Sequence, residues 1–371
     1  MNSALQPERV RRLLVRGTNW VGDSVMSLPA LRQVRQLFTQ THISLLVLPW
    51  VSGIYEESDC VDEVLIYDRE GAHRGLPGRF RLIHSVREQQ FDAALLLQNA
   101  FEAAFLAWLA RIPIRAGYNR DGRGWLLTHS VPIDPHTLKL HQSYYYLDLI
   151  DQLVRRNRVA LSVPASRPEA VRQVSSLPDI SLVVGSDRRQ AARNRLQEQG
   201  VNFSRKVVGV NPGAFFGSAK RWPGERYADL LDRLMERHGA QVVVFGAPNE
   251  AAIAQQIRAA MRHQAILLTG KTQLAELIAM IGCCDLFITN DSGPMHLAAA
   301  LRVPTLAIFG PTDEIATGPL SSTAVVLNKK VECSPCLLRE CPIDHRCMTR
   351  ITVDEVYERT LQMLNSPASV K

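Results

Sequence analysis

The stretch from Leu286 to Pro311, LFITNDSGPMHLAAALRVPTLAIFGP, leaves the chain few folds to choose from. An apolar run enters Asn290, Asp291, Ser292 and Gly293; Met295, Leu297, Ala298, Ala299 and Leu301 then recur at helical spacing, and Thr305 to Phe309 form a second run. Strand, tight polar turn, short helix and strand make half of a nucleotide-binding α/β fold. A glycine at the strand end lets a ligand approach the backbone. A helix starting there directs unpaired amides and the positive end of its dipole into the turn, which suits a phosphate. Taken alone, the turn reads equally well as an ordinary βαβ unit with a capped helix and no ligand.

A chain of 371 residues exceeds what one hydrophobic core usually serves, so two domains are expected. Strands alternate with helical segments through both halves: Leu13 to Arg16, Ile43 to Leu48, Glu63 to Tyr67 and Ala93 to Leu97, with helices around Leu76 to Gln89 and Phe101 to Ala110. After a polar helix from Gly185 to Gly200 the alternation restarts at Val207 to Val210, Gln241 to Phe245, Ala265 to Leu268, Leu286 to Thr289, Thr305 to Phe309 and Ala324 to Leu327. Alternation of this kind predicts parallel sheets covered on both faces. The fold class is therefore α/β, two doubly wound Rossmann-like domains facing a cleft. Residues 163–181, rich in proline and serine, read as the linker between a first domain over 1–170 and a second over 182–350. Residues 351–371 supply a helix, from Val353 to Leu364, that could cross back onto the first domain.

No apolar run approaches the roughly 20 residues that span a bilayer, and the N-terminus lacks the apolar core and cleavage site of a signal peptide, so a cytoplasmic location is expected. The net charge of +7 favours anionic partners such as a nucleotide or a phosphorylated lipid surface; no RNA- or DNA-binding signature accompanies it. Four of the seven cysteines, Cys333, Cys336, Cys341 and Cys347, lie close together with His345 among them. Their spacing allows zinc or an iron–sulfur centre, but a loop of structural thiols that can oxidise is preferred, with no metal assigned.

Near the N-terminus the first strand runs into GTNWVGDSVMSLPALRQVRQLF, in which Gly17, Asn19, Gly22 and Asp23 make a turn before a helical stripe. Asp23 there is either a helix N-cap or a general base at the mouth of a cleft, because ligands of open α/β sheets bind outside the carboxyl ends of strands. The segment RAGYNRDGR, from Arg115 to Arg123, reads as a loop with Lys139 and His141 soon after, and its arginines are candidates for an anionic acceptor. In the second half a strand ends at Asn211, Pro212 and Gly213, and Lys220 precedes a helix beginning near Glu225. A lysine in such a loop suits a phosphate as a point charge. The spacing is not a Walker loop, there or at Gly270, Lys271 and Thr272.

Taken together, NWVGDSVMSLPALR, PGAFFGSAKRWP, TNDSGPMHLAAAL with FGPT, and CSPCLLRECPIDHRCM closely resemble the lipopolysaccharide heptosyltransferases of glycosyltransferase family nine, the heptosyltransferase II type matching best. The resemblance runs through both halves in order and is weakest over roughly Ile54 to Leu138. It implies a GT-B architecture and an inverting, metal-independent transfer of heptose from ADP-L-glycero-D-manno-heptose to the inner-core heptose of lipopolysaccharide. ADP-heptose would be a substrate, with no cofactor. The acceptor would be met at the inner membrane surface, with the enzyme cytoplasmic or peripheral on that face. The implied catalytic residues are Asp23 as base and Lys220 at the diphosphate. Around the donor it implies Asn211, Gly213, Ser218, Lys220, Asp291, Ser292, Gly293, Met295 and His296, with Glu250 at the ribose. Asn19, Trp20, Arg120 and Arg123 are the candidates on the acceptor side. The chain contains no Asp-x-Asp pair of the kind that holds a cation in metal-dependent sugar transferases.

Two other readings stay open at this point: the transferase that adds the first heptose to Kdo-lipid A, and a two-domain protein that binds a nucleotide sugar without chemistry. An NAD-dependent enzyme is disfavoured, since no GxGxxG follows the first strand of either half.

Overall fold

The structure, a computed structural model, describes residues 5–157 and 177–365. It divides into two units, Met1–Ile180 and Ser181–Lys371. The linker expected over 163–181 lies outside the described residues up to position 176.

In the first unit the elements are β1 (Arg12–Arg16), α1 (Val21–Met26), α2 (Leu28–Leu37), β2 (His42–Val47), β3 (Glu63–Ile66), α3 (Gly75–Glu88), β4 (Ala93–Leu96), α4 (Phe101–Leu109), β5 (Ile114–Tyr118), β6 (His129–Val131) and α5 (Gln142–Asn157). The strands form one sheet in the order β3-β2-β1-β4-β5-β6, and every pair is parallel. The chain therefore reverses its direction of winding between β1 and β4, which creates the crevice where open α/β sheets take ligands. The stripe expected as one helix after Asp23 is two, because Pro29 fits only the first turn of a new helix, α2. The RAGYNRDGR segment is half strand: Ile114–Tyr118 pairs with β4 and β6. Its alternation is hidden because Arg115 spends its guanidinium on the Leu126 carbonyl at 2.7 Å.

The second unit repeats the plan with α6 (Ser186–Glu198), β7 (Val207–Asn211), α7 (Gly224–His238), β8 (Gln241–Val244), α8 (Ala251–Ala260), β9 (Ile266–Leu267), α9 (Leu274–Ile281), β10 (Leu286–Asn290), α10 (Gly293–Ala300), β11 (Thr305–Phe309), α11 (Glu314–Thr317), β12 (Ala324–Asn328), α12 (Arg346–Thr349) and α13 (Val353–Asn365). The sheet order is β12-β11-β10-β7-β8-β9, again wholly parallel, with its reversal between β7 and β10. β7, β10 and β11 are buried along their whole length, as expected of strands covered by helices on both faces.

The terminal helix α13 packs within the second unit, against α7 and β10, with Val356 in the core beside Trp222, Tyr227 and Ile351. The reason is local. The apolar stripe of α13 meets a core that Trp222 anchors by donating Nε1–H to the Ile351 carbonyl at 2.9 Å. Among the described residues no helix is long and apolar enough to cross a membrane.

Candidate functional site

Each crevice collects a different chemistry, and in each the loops after the two central strands carry it. In the first unit the loop after β1 is fastened from below by Arg16. This side chain is buried, and its guanidinium donates to the carbonyls of Gly17 (2.6 Å) and Leu46 (3.1 Å) and to Asn19 Oδ1 (2.8 Å). Burial, then the neighbouring Arg69 charge, lowers its pKa to about 10, which still leaves it a cation at neutral pH. The loop is tied further by Thr18 Oγ1 to Ser24 Oγ (3.0 Å) and by Trp50 Nε1–H donating to the Asn19 carbonyl (2.8 Å).

Asp23 stands in the first turn of α1 and is not its cap; Trp20 holds that position with an extended backbone. The Tyr146 hydroxyl, on α5, donates to Asp23 Oδ1 at 3.0 Å. Burial, and next the Asp23 charge, pushes the Tyr146 phenol well above its ordinary range, so it stays a donor. The carboxylate is thus held by a neutral hydroxyl on a buried helix. Sequence reasoning missed Tyr146, whose only signal is the YYY run from Tyr144 to Tyr146 on a helix with a buried face.

Of the four residues expected at the acceptor, Trp20 is exposed, Asn19 spends its side chain on Arg16, and Arg120 extends outward with Asp121 at 3.7 Å. Arg123 is a correction. It is fully buried, donating Nε–H to the Tyr118 carbonyl (3.0 Å) and Nη1–H to that of Gln98. Its charge staples the loop after β4 to that after β5.

In the second unit the donor-side candidates converge at the β7/β10 reversal. Lys220 ends a single 3-10 turn, Ser218–Lys220, and its Nζ lies 2.5 Å from Asp291 Oδ2, which also accepts from Thr312 Oγ1 at 2.7 Å. The ammonium sits 5.0 Å from the centre of the Phe216 ring. Asn290 clamps the loops together: Oδ1 accepts from the Trp222 amide (3.2 Å) and the Tyr227 hydroxyl (3.0 Å), and Nδ2 donates to the Pro212 carbonyl (2.7 Å). Asn211 Nδ2 reaches Ser292 Oγ at 3.2 Å, while its Oδ1 is a buried acceptor with no partner among the described residues.

Ser292 is the N-cap of α10, and Gly293 opens the helix with Pro294 behind it. Gly293 therefore presents its amide at the positive end of the helix. The Met295 side chain is buried in a cluster with Ala307 and Phe309. His296 is buried in the same helix, and Ser218 is exposed.

The Glu250 carboxylate fills the space beside Gly213, where a Cβ would overlap it, and accepts from the Ala247 amide at 2.9 Å. Burial raises its pKa, opposed by that amide and by Arg221.

The cysteine segment braces this site. The Arg339 carbonyl accepts from the Ala219 amide at 3.0 Å, and His345 Nε2 lies 2.7 Å from the Ala219 carbonyl, so the turn carrying Lys220 is held from outside. Cys333 and Cys336 are exposed, and Cys347 is buried. Burial first, then Cys341, Cys333 and Cys336 nearby, pushes the Cys347 thiol up to about 11. Among the described residues no three His, Cys, Asp or Glu side chains converge as a metal site.

Sequence and structure comparisons place the chain beside known proteins. The family model described as glycosyltransferase family 9 (heptosyltransferase) matches residues 79–346. Lipopolysaccharide heptosyltransferase 2 of Salmonella typhimurium is 32% identical over 85% of this chain and 87% of its own length. Lipooligosaccharide heptosyltransferase 2 of Haemophilus ducreyi is 30% identical over 95% and 99%. The solved ADP-heptose lipopolysaccharide heptosyltransferase II of E. coli superposes with a TM-score of 0.78 at 29% identity, covering 95% of this chain and 98% of that one. Each unit thus has its own switch-point crevice, the first with a carboxylate and the second with a lysine and a helix N-terminus, in a chain that belongs to glycosyltransferase family 9.

Proposed function

We propose that the protein transfers heptose from ADP-L-glycero-D-manno-heptose to the inner-core heptose of lipopolysaccharide, with inversion at the anomeric carbon. The observation that carries this reading is Lys220, held against Asp291 at the β7/β10 reversal beside the N-terminus of α10, in a chain similar to heptosyltransferase 2 enzymes.

In this mechanism the acceptor hydroxyl attacks the anomeric carbon while the bond from that carbon to the diphosphate oxygen breaks. The hydroxyl proton passes to the Asp23 carboxylate, which Tyr146 keeps oriented. General-base help of this kind contributes roughly 10²- to 10⁴-fold. Negative charge grows on the departing ADP, so Lys220 and the Gly293 amide stabilise the transition state more than the ground state. Asp291 acts through Lys220: a carboxylate has no reason to approach a diphosphate, but it aims the ammonium. Asn211 Oδ1 and Glu250 are the acceptors on offer to the hydroxyls of the nucleotide sugar. The acceptor is met at the inner membrane surface, on the cytoplasmic side.

The test is incubation with ADP-heptose and lipid A bearing either Kdo alone or Kdo plus one heptose, read by mass spectrometry. One heptose should be added to the heptosylated acceptor. Transfer to Kdo alone would reassign the enzyme to the first heptose, and no transfer to either would overturn the reading.

A further inference from the structure

Apart from Glu102, α4 is apolar on every side. Ala103, Ala104, Leu106 and Ala107 are buried, while Phe101, Phe105 and Trp108, spaced four and three residues apart, stand out from the surface. The turn Gly124–Leu126 adds Trp125, which is 69% exposed. The rings close on one another: Phe101 to Phe105 and Phe105 to Trp108 at 5.8 Å, and Trp125 at 6.3 Å from both Phe101 and Trp108. The one charged residue of the helix, Glu102, is taken up by Arg69, by the Tyr67 hydroxyl (2.6 Å) and by Arg79 (3.5 Å). A surface helix without a polar face is stable only where something covers it.

The flanks indicate what does. Between positions 69 and 125 stand nine arginines, no lysine and five carboxylates. Arg111 directly follows α4, Arg120 precedes Trp125, and the neighbouring α3 exposes Leu76 and Phe80 among Arg74, Arg79 and Arg81. In a symmetric contact between two copies these arginines would face each other and repel. Against anionic headgroups they are complementary, and tryptophan rings settle at the boundary of lipid and water. We propose that the aromatic face of α4, with Trp125, docks the first unit on an anionic lipid bilayer. The proposal deepens the transferase reading, since a lipid-anchored acceptor gives the docking its use, but vesicle binding is measurable without it.

The test is flotation of the full chain with vesicles of phosphatidylcholine, alone or mixed with phosphatidylglycerol. We expect binding to the mixed vesicles, weakened by salt. Trp108→Ser/Trp125→Ser should lower it about tenfold or more, as loss of two large buried rings requires, and Arg74→Gln/Arg111→Gln should lower it while leaving the rings in place. Thermal unfolding checks that both variants fold; should the ring variant not fold, the arginine variant decides alone. Absent or composition-independent binding, or wild-type binding by the folded variants, would overturn the proposal. So would sedimentation showing a dimer that the ring variant dissolves, which assigns the face to a second copy. A folded ring variant should still use a soluble, acyl-free heptosylated acceptor at the wild-type rate; if the wild-type protein binds the mixed vesicles and the ring variant does not, but the wild-type protein fails on that acceptor, the transferase reading fails while the surface stands.

Discussion

Replacing Lys220 by methionine should do two separable things, and the geometry sets the size of each. The ammonium lies 2.5 Å from Asp291 in a nearly dry setting, the two side chains being 14% and 6% exposed. Removing one partner of a buried pair typically costs about 3–5 kcal/mol, because the other charge is left uncompensated. Thr312 continues to donate to Asp291, which argues for the lower end, about 3 kcal/mol. For a unit the size of Ser181–Lys371 that is a fall in Tm of about 6–12 °C. Adding Asp291→Asn removes the stranded charge, so the double variant should be more stable than Lys220→Met alone, by about 2 kcal/mol. Binding follows a different pattern. Loss of a charge-assisted hydrogen bond to the diphosphate should weaken ADP by about 1.5–3 kcal/mol, roughly 10- to 150-fold. Asp291→Asn by itself should weaken ADP binding less than Lys220→Met does, since the ammonium stays and only its aim is loosened. Scanning calorimetry of the second unit's transition and titration calorimetry with ADP measure both. A double variant less stable than Lys220→Met, or wild-type ADP affinity in Lys220→Met, would refute the reasoning.

Asp23→Ala should lower transfer by roughly 10²- to 10⁴-fold and leave ADP affinity unchanged, because the donor cradle is built by the other unit; single-turnover rates that fall less than about tenfold would remove Asp23 from the role of base. Glu250 supplies a pH test. Burial raises its folded pKa, so its proton is held more tightly in the fold, and the stability this gives below the unfolded pKa is lost as pH rises through the folded one. Glu250→Gln should therefore unfold at a higher temperature than wild type at neutral pH, with the gap closing on acidification; a gap that widens instead would contradict the assigned burial cost. Transfer should also survive excess EDTA, given Lys220 and the lack of an Asp-x-Asp pair, and loss restored by magnesium or manganese would show otherwise.

The periodic parts of the chain were legible because period and composition are local properties. Apolar runs such as Val207–Asn211 and Thr305–Phe309 cannot be anything but buried strands once helices alternate with them. The turns at Asp23, Lys220 and Asp291 to Gly293 stood out for the same reason, since glycine and proline punctuate them. What escaped was whatever depends on a partner far along the chain. Tyr146 meets Asp23 across 123 positions, and Lys220 meets Asp291 across 71, in an order of strands that no local pattern encodes. Arg123 and Met295 were expected at ligands because residue type and motif suggest it, yet one is drawn inward by carbonyls that only the folded loops bring together, and the other by a helix face that only β11 covers. The sequence by itself determined that strand ends carry a carboxylate, a lysine and an amide-rich turn. The tertiary structure alone decided which strand ends are neighbours, because parallel sheets bury residues by order of winding and not by distance along the chain.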